Sequence, residues 1–278
     1  MSGDTPRVIA HRGFAGVAPE NTAGAFRAVA DGTHPASMVE FDVVPCADGT
    51  PVVFHDDRLD DRGDSRGITD RTGAVWKTPL ETVRSATVLD SGERVPTLAE
   101  ALDAIPPEIG VNVELKNPGT ADVEVGEGLP DDELATRRDR WKPFVERVAG
   151  TLEGADNEVL VSSFAEGAVA ALRDVAPALP AATVLAHSVE DGLAFAERYD
   201  CEAIHPALDM VVETASGPGQ HHPDRSFGDV DPVEAAADRD CVVNVWTART
   251  WHQADRLRAA GVDGVFADYP GLYRWSDG

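Results

Sequence analysis

The chain has 278 residues and a mass of 29.5 kDa, which suits one α/β barrel or two modest domains. Apolar residues make up 42% and charged residues 26%, a composition typical of globular rather than disordered proteins. The 24 basic and 49 acidic residues give a net charge of −25, which disfavours binding to nucleic acid or to anionic membranes.

Short apolar segments alternate with helical patterns along the chain, which is typical of β–α units around a parallel sheet. We predict eight strands at Val8–His11, Met38–Val44, Val111–Lys116, Val159–Ser163, Ala182–Leu185, Ala203–His205, Val242–Trp246 and Gly264–Ala267. This number of strands in about 250 residues predicts a (β/α)8 TIM barrel. A doubly wound open sheet is the alternative, because periodicity does not show whether a sheet closes.

Several helices have start signals that can be read from the sequence. Capping boxes, or close approaches to them, begin at Thr97, Ser163, Ser188 and Thr250. Asp231 offers an N-cap followed by a proline at the first helical position.

Three longer segments do not fit a minimal β–α repeat: Asp57–Pro96, Asn117–Asp132 and Val212–Val230. Each extends the carboxyl end of a predicted strand, where barrel enzymes keep their active sites. No repeat, linker or shift in composition marks a second domain, so we expect one domain over residues 1–278.

Acidic side chains on two predicted strands point to the same volume. Alternation puts Glu40 and Asp42 on one face of the second strand, and Glu114 and Lys116 on one face of the third. Three buried carboxylates would repel one another unless they took up protons or bound a cation. Oxygen ligands favour Mg²⁺, Ca²⁺ or Mn²⁺. The alternative is a Lys116–Glu114 ion pair beside two solvated acids.

Two histidines follow apolar segments. His11 ends the first strand and is followed by Arg12 and Gly13, and His55 ends the short run that starts at Pro51. Two histidines can divide the acid and base roles of a reaction, and an arginine fork matches a phosphate or a carboxylate. A histidine at a strand end is also common as a hydrogen-bonded core residue.

Eight short motifs occur in a fixed order: Ala10-His-Arg-Gly13, Pro19-Glu-Asn-Thr22, Glu40-x-Asp42, Val53-Phe-His-Asp56, Pro96-Thr-Leu98, Glu114-Leu-Lys116, Val245-Trp-Thr247 and Gly261-Val-Asp-Gly264 through Asp268. As an ordered set, running from about residue 8 to 270, they resemble the glycerophosphodiester phosphodiesterase family. The resemblance implies a TIM barrel with a small insertion after the second strand, at about residues 57–96. It also implies hydrolysis of a glycerophosphodiester to glycerol phosphate and an alcohol.

The resemblance further implies roles for individual residues. One divalent cation, Mg²⁺ or Ca²⁺ with Mn²⁺ as a possibility, would be held by Glu40, Asp42 and Glu114. The acid–base pair would be His11 and His55, and the phosphate ligands would be Arg12 and Lys116. We favour His11 as the base that takes the first proton and His55 as the acid.

The remaining candidates have competing structural explanations. We expect Glu20 to hold Arg12 or to adjoin the metal, and Asn21 to cap a helix over Thr22–Ala30. Trp246 would either pack against the glycerol carbons or fill the barrel.

Five further side chains are expected to matter less. For Phe164 we favour ordinary packing over a place in the lining of the pocket, and for Asp268 a local cap or ion pair over contact with substrate hydroxyls. His205 ends the sixth predicted strand on the active face, and His221-His222 is expected to be solvated.

Two rival functions stay open. A phospholipase C- or D-like enzyme acting on phospholipid headgroups would need an exposed apolar or basic loop, which the sequence does not offer. A non-catalytic binding protein would not need both histidines together with three acids. We therefore expect a small-molecule glycerophosphodiester as partner, with no nucleic acid and no stable membrane association; the sequence does not indicate the oligomeric state.

The environment in which the protein works is predicted from its lysine and cysteine content and from the lack of membrane-span and signal-peptide patterns. With only three lysines and many acids, the surface is like that of proteins from concentrated salt. Three cysteines in apolar segments are typical of reduced core residues. No apolar run approaches the roughly 18 residues of a membrane span, and the N-terminus shows no signal peptide. These features predict a cytoplasmic protein.

Overall fold

A computed structural model describes residues 5–123, 130–185, 187–212 and 230–273. Within these ranges one sheet contains nine strands. They are β1 Arg7–His11, β2 Met38–Pro45, β3 Pro51–Val53, β4 Gly110–Leu115, β5 Val159–Ser163, β6 Ala181–Val184, β7 Ala203–His205, β8 Val242–Ala248 and β9 Gly264–Ala267.

Helices connect the strands. They are α1 Ala23–Ala30, α2 Leu80–Arg84, α3 Leu98–Asp103, α4 Asp131–Leu152, α5 Glu166–Val175, α6 Val189–Arg198, α7 Leu208–Val211, α8 Pro232–Ala237 and α9 Trp251–Ala260, with a 3₁₀ turn at Val75–Lys77. Among the helices that the structure describes, none is long and apolar enough to cross a membrane.

The sheet closes on itself. The strand order is β1-β9-β8-β7-β6-β5-β4-β2, and β1 also pairs with β2, so eight parallel strands form a complete ring. The predicted TIM barrel is therefore confirmed and the open sheet is excluded. β3 was not predicted as a strand, and it pairs antiparallel with the end of β2 outside the ring.

The strand faces divide as the alternation predicts. Val111 and Val113 of β4 belong to the main apolar core, together with helix residues such as Phe144. On the opposite face of β4, the Asn112 side chain donates a hydrogen bond of 2.8 Å to the hydroxyl of Ser162 on β5. Polar side chains of neighbouring strands therefore meet inside the barrel.

Residues 57–96 form an insertion at the carboxyl end of β2. Its apolar side chains pack with those of β2 and β3 in a cluster of their own: Val44, Cys46, Val52, Phe54, Leu59, Val75, Val83, Ala86, Val88 and Val95. The Val53 amide donates to the Pro96 carbonyl at 2.8 Å, which holds the end of the insertion against β3. This attachment fixes the segment that follows β3.

Four of the predicted helix starts are present. Thr97 and Thr250 form reciprocal capping boxes, Ser188 caps α6, and Asp231 caps α8 with a proline at its start. The cap predicted at Ser163 is wrong. This residue ends β5, and its hydroxyl donates to the Leu115 carbonyl on β4 instead.

The cap predicted at Asn21 is also wrong. The N-cap of α1 is Thr22, whose hydroxyl accepts from the Ala25 amide at 3.2 Å. Asn21 has a positive φ of 58°, which turns its side chain toward the barrel, and its amide donates to Asp42 Oδ2 at 2.8 Å. This residue therefore supports the acidic cluster rather than the helix.

Candidate active site

A cavity of about 170 Å³ opens at the carboxyl ends of the barrel strands. Seven of the predicted site residues line it: His11, Arg12, Glu40, His55, Glu114, Lys116 and Trp246. The two others, Asp42 and Glu20, lie beside them and contact Arg12. The structure therefore brings together every residue that the sequence singled out for the site.

Strand register is the reason the acidic side chains meet. His11 of β1 lies opposite Glu40 of β2, and Asp42 of β2 lies opposite Glu114 of β4. One carboxylate oxygen from each of the three acids lies within 4.8 Å of the other two. Glu40 and Asp42 are each only 1% exposed, so the alternative of two solvated acids is wrong.

The three acids fit a hard divalent cation. Among the described residues, Glu40 Oε1 is buried and has no hydrogen-bond partner. Burial, together with the charges of Asp42 and Glu114, raises the pKa of Glu40 well above its usual range. A cation would compensate both the repulsion and the orphaned oxygen, and an all-oxygen ligand set is typical of Mg²⁺, Ca²⁺ and Mn²⁺.

Two positively charged side chains border the acidic cluster. Arg12 Nε lies 3.2 Å from Asp42 Oδ2, and Lys116 Nζ lies 2.7 Å from Glu114 Oε1 and 3.7 Å from Asp42 Oδ1. Burial alone would raise the pKa of Asp42, but the positive charge of Arg12 and neighbouring cationic groups hold it well below its usual range. Arg12 and Lys116 are thus placed to face an anionic ligand beside the acids.

Both histidines have a carboxylate partner on Nδ1. His11 Nδ1 lies 2.6 Å from Asp268 Oδ1, and His55 Nδ1 lies 2.7 Å from Asp56 Oδ1. A carboxylate only accepts hydrogen bonds, so each pair places a proton on Nδ1. The Nε2 atom of a neutral imidazole is then free to accept a proton. His11 Nε2 lies 3.9 Å from Glu40 Oε2, at the edge of the acidic cluster.

A chain of ion pairs connects the two sides of the site. Glu20 Oε1 lies 3.0 Å from the Arg12 guanidinium and 2.7 Å from that of Arg66. Arg66 Nε in turn donates to Asp56 Oδ1 at 3.0 Å, and Asp56 orients His55. Glu20 therefore contacts Arg12, which is one of the two roles predicted for it. Although burial would raise the pKa of Glu20, the hydrogen bonds from Arg66 and the charge of Arg12 lower it.

Aromatic side chains form one wall of the cavity. The rings of Phe164 and Trp246 meet edge to face with centroids 5.5 Å apart, and Lys116 Nζ lies 5.2 Å from the centroid of Phe164. Trp246 Nε1 donates to the backbone carbonyl of His205 at 2.8 Å. The His205 ring also lines the cavity, and burial lowers its pKa to about 3.

The model of the glycerophosphoryl diester phosphodiesterase family matches residues 11–272. The chain belongs to this family. The match confirms the resemblance carried by the sequence motifs and confirms the prediction of an enzyme that cleaves phosphoric diesters.

Relatives in the family match over nearly the whole chain. A glycerophosphodiester phosphodiesterase of Bacillus altitudinis is 27% identical over 271 residues, covering 95% of each chain. A solved phosphodiesterase of Oleispira antarctica, in complex with the product sn-glycerol-3-phosphate, is 27% identical with a TM-score of 0.70 and covers 96% of this chain and 94% of its own. A glycerophosphodiester phosphodiesterase of Thermotoga maritima, 18% identical, shares the fold with a TM-score of 0.67, covering 98% and 97%.

The structure corrects two expectations about this family member and does not test a third. Phe164 faces the cavity, so the expectation of ordinary packing is wrong. Asp268 pairs with His11 across 257 positions of sequence, so its expected local role is wrong. The predicted solvation of His221-His222 concerns residues outside the described ranges.

Three supporting residues were missed by the sequence reasoning: Asp56, Arg66 and Arg249. Asp56 follows a catalytic candidate directly, and an acid beside a histidine is a signal that could have been used. Arg66 and Arg249 carry no such signal, because each is one arginine in a polar segment. Arg249 Nε donates to Asp268 Oδ2 at 2.6 Å and lines the cavity.

Proposed function

We propose that this chain hydrolyses small glycerophosphodiesters to glycerol phosphate and an alcohol in a metal-dependent reaction with two histidines as acid and base. The observation that carries the proposal is the site geometry. Two imidazoles, each with a carboxylate on Nδ1, flank three clustered acids in one cavity that also contains Arg12 and Lys116. The family membership and the product bound to the Oleispira relative support the same reaction class.

Glu40, Asp42 and Glu114 would hold the divalent cation, Mg²⁺, Ca²⁺ or Mn²⁺. When bound, such a cation polarises a phosphoryl oxygen and lowers the pKa of a hydroxyl at the site. Arg12 and Lys116 supply the further positive charge that a phosphoryl group needs as negative charge grows on its oxygens. Both side chains already lie beside the acidic cluster, so this charge is in place before substrate binds.

His11 acts as the first base. It takes a proton on Nε2 from the glycerol hydroxyl next to the phosphoester, and that oxygen attacks phosphorus. His55 begins this step protonated on Nε2 as well as on Nδ1. The bond between phosphorus and the alcohol oxygen breaks, and His55 gives the Nε2 proton to the departing alkoxide. The resulting cyclic phosphate then opens to water with the two roles exchanged, which returns both histidines to their starting state.

The cavity wall and the carboxylate partners support this assignment. Trp246 lines the cavity beside Phe164 and offers an apolar surface on which the carbon skeleton of glycerol would pack. Asp268 and Asp56 fix the orientation of the two imidazole rings. They also stabilise the imidazolium that forms when Nε2 of either ring is protonated. The cytoplasmic location and the fit of the acidic surface to high salt stay predictions from composition.

The test is a turnover assay on glycerophosphocholine, glycerophosphoethanolamine and glycerophosphoglycerol at low and high salt. Enzyme stripped with a chelator should be inactive and should regain activity with Mg²⁺, Ca²⁺ or Mn²⁺. His55→Ala should lose on the order of 10²–10⁴ in rate. His34→Ala is a matched control, because His34 packs against Phe14 and does not line the cavity.

Four results would contradict the proposal. Near-normal turnover by His55→Ala would remove this residue from the reaction. Full activity after chelation would remove the metal. Binding without turnover would favour a binding protein, and turnover only on phospholipid vesicles would favour the phospholipase-like alternative.

A further inference from the structure

A second cavity of about 440 Å³ adjoins the active site, and His55 lines both cavities. Apart from Ala121, all the other residues that line it belong to the insertion or directly precede it. The two cavities therefore meet at the imidazole to which the proposed function assigns protonation of the leaving alkoxide.

The inference rests on that proposed function. In the first step, the oxygen of the departing alcohol lies at His55 while the glycerol phosphate part occupies the 170 Å³ cavity with Arg12 and Lys116. An attacking and a departing oxygen lie roughly in line at phosphorus. The rest of the alcohol therefore extends away from the first cavity, and the space beyond His55 is the second one.

The charges on the wall of the second cavity are mixed. Lys77 is one of only three lysines, and within the described ranges neither its ammonium nor the Arg62 guanidinium forms an ion pair with a carboxylate, although the Arg62 backbone amide donates to Asp60 Oδ1 at 3.3 Å. Four other arginines of the insertion do pair with acids: Arg58, Arg66, Arg71 and Arg84. Asp57 and Asp64 also line the cavity and are exposed, so hydrogen-bond donors and acceptors stand side by side.

We infer that the second cavity binds the alcohol part of the substrate and favours a polyol, such as glycerol or inositol. Hydroxyl groups both donate and accept hydrogen bonds, so they can use Arg62 and Lys77 together with the two aspartates. The apolar face of a polyol can pack on Trp76, which is half-buried in the same wall. A quaternary ammonium can neither donate hydrogen bonds to Asp57 and Asp64 nor accept them from Arg62 and Lys77, and the two basic side chains oppose the attraction of the two acids for its charge.

The experiment compares two substrates that differ only in the alcohol, glycerophosphoinositol and glycerophosphocholine. The double variant R62A/K77A should lose on the order of tenfold in kcat/KM on the inositol substrate, because each exposed charged contact contributes about two- to fivefold. Its kcat/KM on the choline substrate should not fall, because the variant removes two charges that repel the quaternary ammonium. Inhibition by the product glycerol phosphate should stay unchanged, since that ligand occupies the first cavity.

Arg94→Ala is the matched control. Arg94 is an exposed arginine of the same insertion, and it lines a different surface groove. It should leave both substrates unaffected. Wild-type preference for the choline substrate, or equal losses on both substrates in R62A/K77A, would overturn the inference while leaving the proposed function intact. Wild-type enzyme that cleaves neither substrate would overturn the proposed function and the inference with it.

Discussion

Replacing Asp268 by asparagine tests whether the carboxylate partner of His11 is used in the reaction. Asp268 accepts from His11 Nδ1 at 2.6 Å through one oxygen and from Arg249 Nε at 2.6 Å through the other. Burial alone would raise the pKa of Asp268, but the hydrogen bond and charge of His11 and the contact with Arg249 lower it. The side chain is therefore an anion at neutral pH, and Asp268→Asn removes that charge with little change in volume.

The size of the effect follows from the kind of hydrogen bond that is lost. A hydrogen bond to a charged group contributes about 1.5–3 kcal/mol. If this contribution is realised when His11 becomes a cation in the transition state, kcat should fall by about 10- to 200-fold, since 1.36 kcal/mol is a factor of ten. KM should change little, because Asp268 pairs with His11 and Arg249 and not with Arg12 or Lys116, the proposed phosphate ligands. Steady-state kinetics on a glycerophosphodiester measures both quantities.

Asp263→Asn is the control at the opposite end of β9. Asp263 accepts a hydrogen bond of 2.8 Å from the Val243 amide and lies outside the cavity. The Asp263→Asn substitution should lower the stability of the fold slightly and leave kcat unchanged. If folded Asp268→Asn kept kcat within about twofold of wild type, the reasoning that assigns this carboxylate to the orientation of His11 would fail.

Three more perturbations test other parts of the structure. Enzyme stripped of metal should gain about 2.7 kcal/mol of unfolding free energy when metal is added at a hundred times its Kd. Thermal melts measure this gain, and Glu40→Gln should lose most of it. Because the pKa of Glu20 is lowered in the fold, its stabilising contribution is complete above its ordinary pKa of about 4.3 and is lost as the pH falls below it. Urea unfolding between pH 7 and 3 should therefore show a shallower acid loss for Glu20→Gln than for wild type. Thr97→Ala should cost about 1 kcal/mol in the same urea assay and leave kcat unchanged, because it removes only the cap of α3.

Each of these three predictions has a distinct contradicting result. A metal-dependent gain that survives in Glu40→Gln would mean that the ion binds elsewhere. An unchanged acid profile in Glu20→Gln would mean that its pairs with Arg12 and Arg66 do not stabilise the fold. A large loss of kcat in Thr97→Ala would show that the insertion boundary couples to the site.

The barrel could be predicted because its information is local. Each strand is a short apolar run, and alternation along β2 and β4 already decides which side chains point inward. The acids Glu40, Asp42 and Glu114 could be grouped for the same reason, since parallel strands in register bring equivalent positions together. Periodicity alone does not show closure of the ring, because closure depends on pairing between β1 and β2 that no local pattern encodes; the number of strands and the family resemblance favoured it instead.

The errors concern side chains whose partner is chosen by tertiary contacts. Ser163 looked like a helix cap, yet its hydroxyl finds the Leu115 carbonyl on the neighbouring strand before the helix begins. Asn21 looked like a cap as well, but its left-handed backbone turns the amide to Asp42. Both residues are short polar side chains that can bond locally or across elements, and only the packed structure decides between these options.

The insertion contributes to the candidate active site, because it supplies a side chain next to the carboxylate partner of His55. The segment after β3 supplies His55 and Asp56, and the insertion supplies Arg66, which joins Asp56 to Glu20 and through it to Arg12. Asp56, the partner of His55, is thus connected through ion pairs to Arg12 beside the acidic cluster. Loss of Arg66 would leave two largely buried acids without their shared cation, so its effect should reach both the phosphate side and the leaving-group side of the site. That coupling gives a physical reason for an insertion at this strand that does not depend on what the second cavity binds.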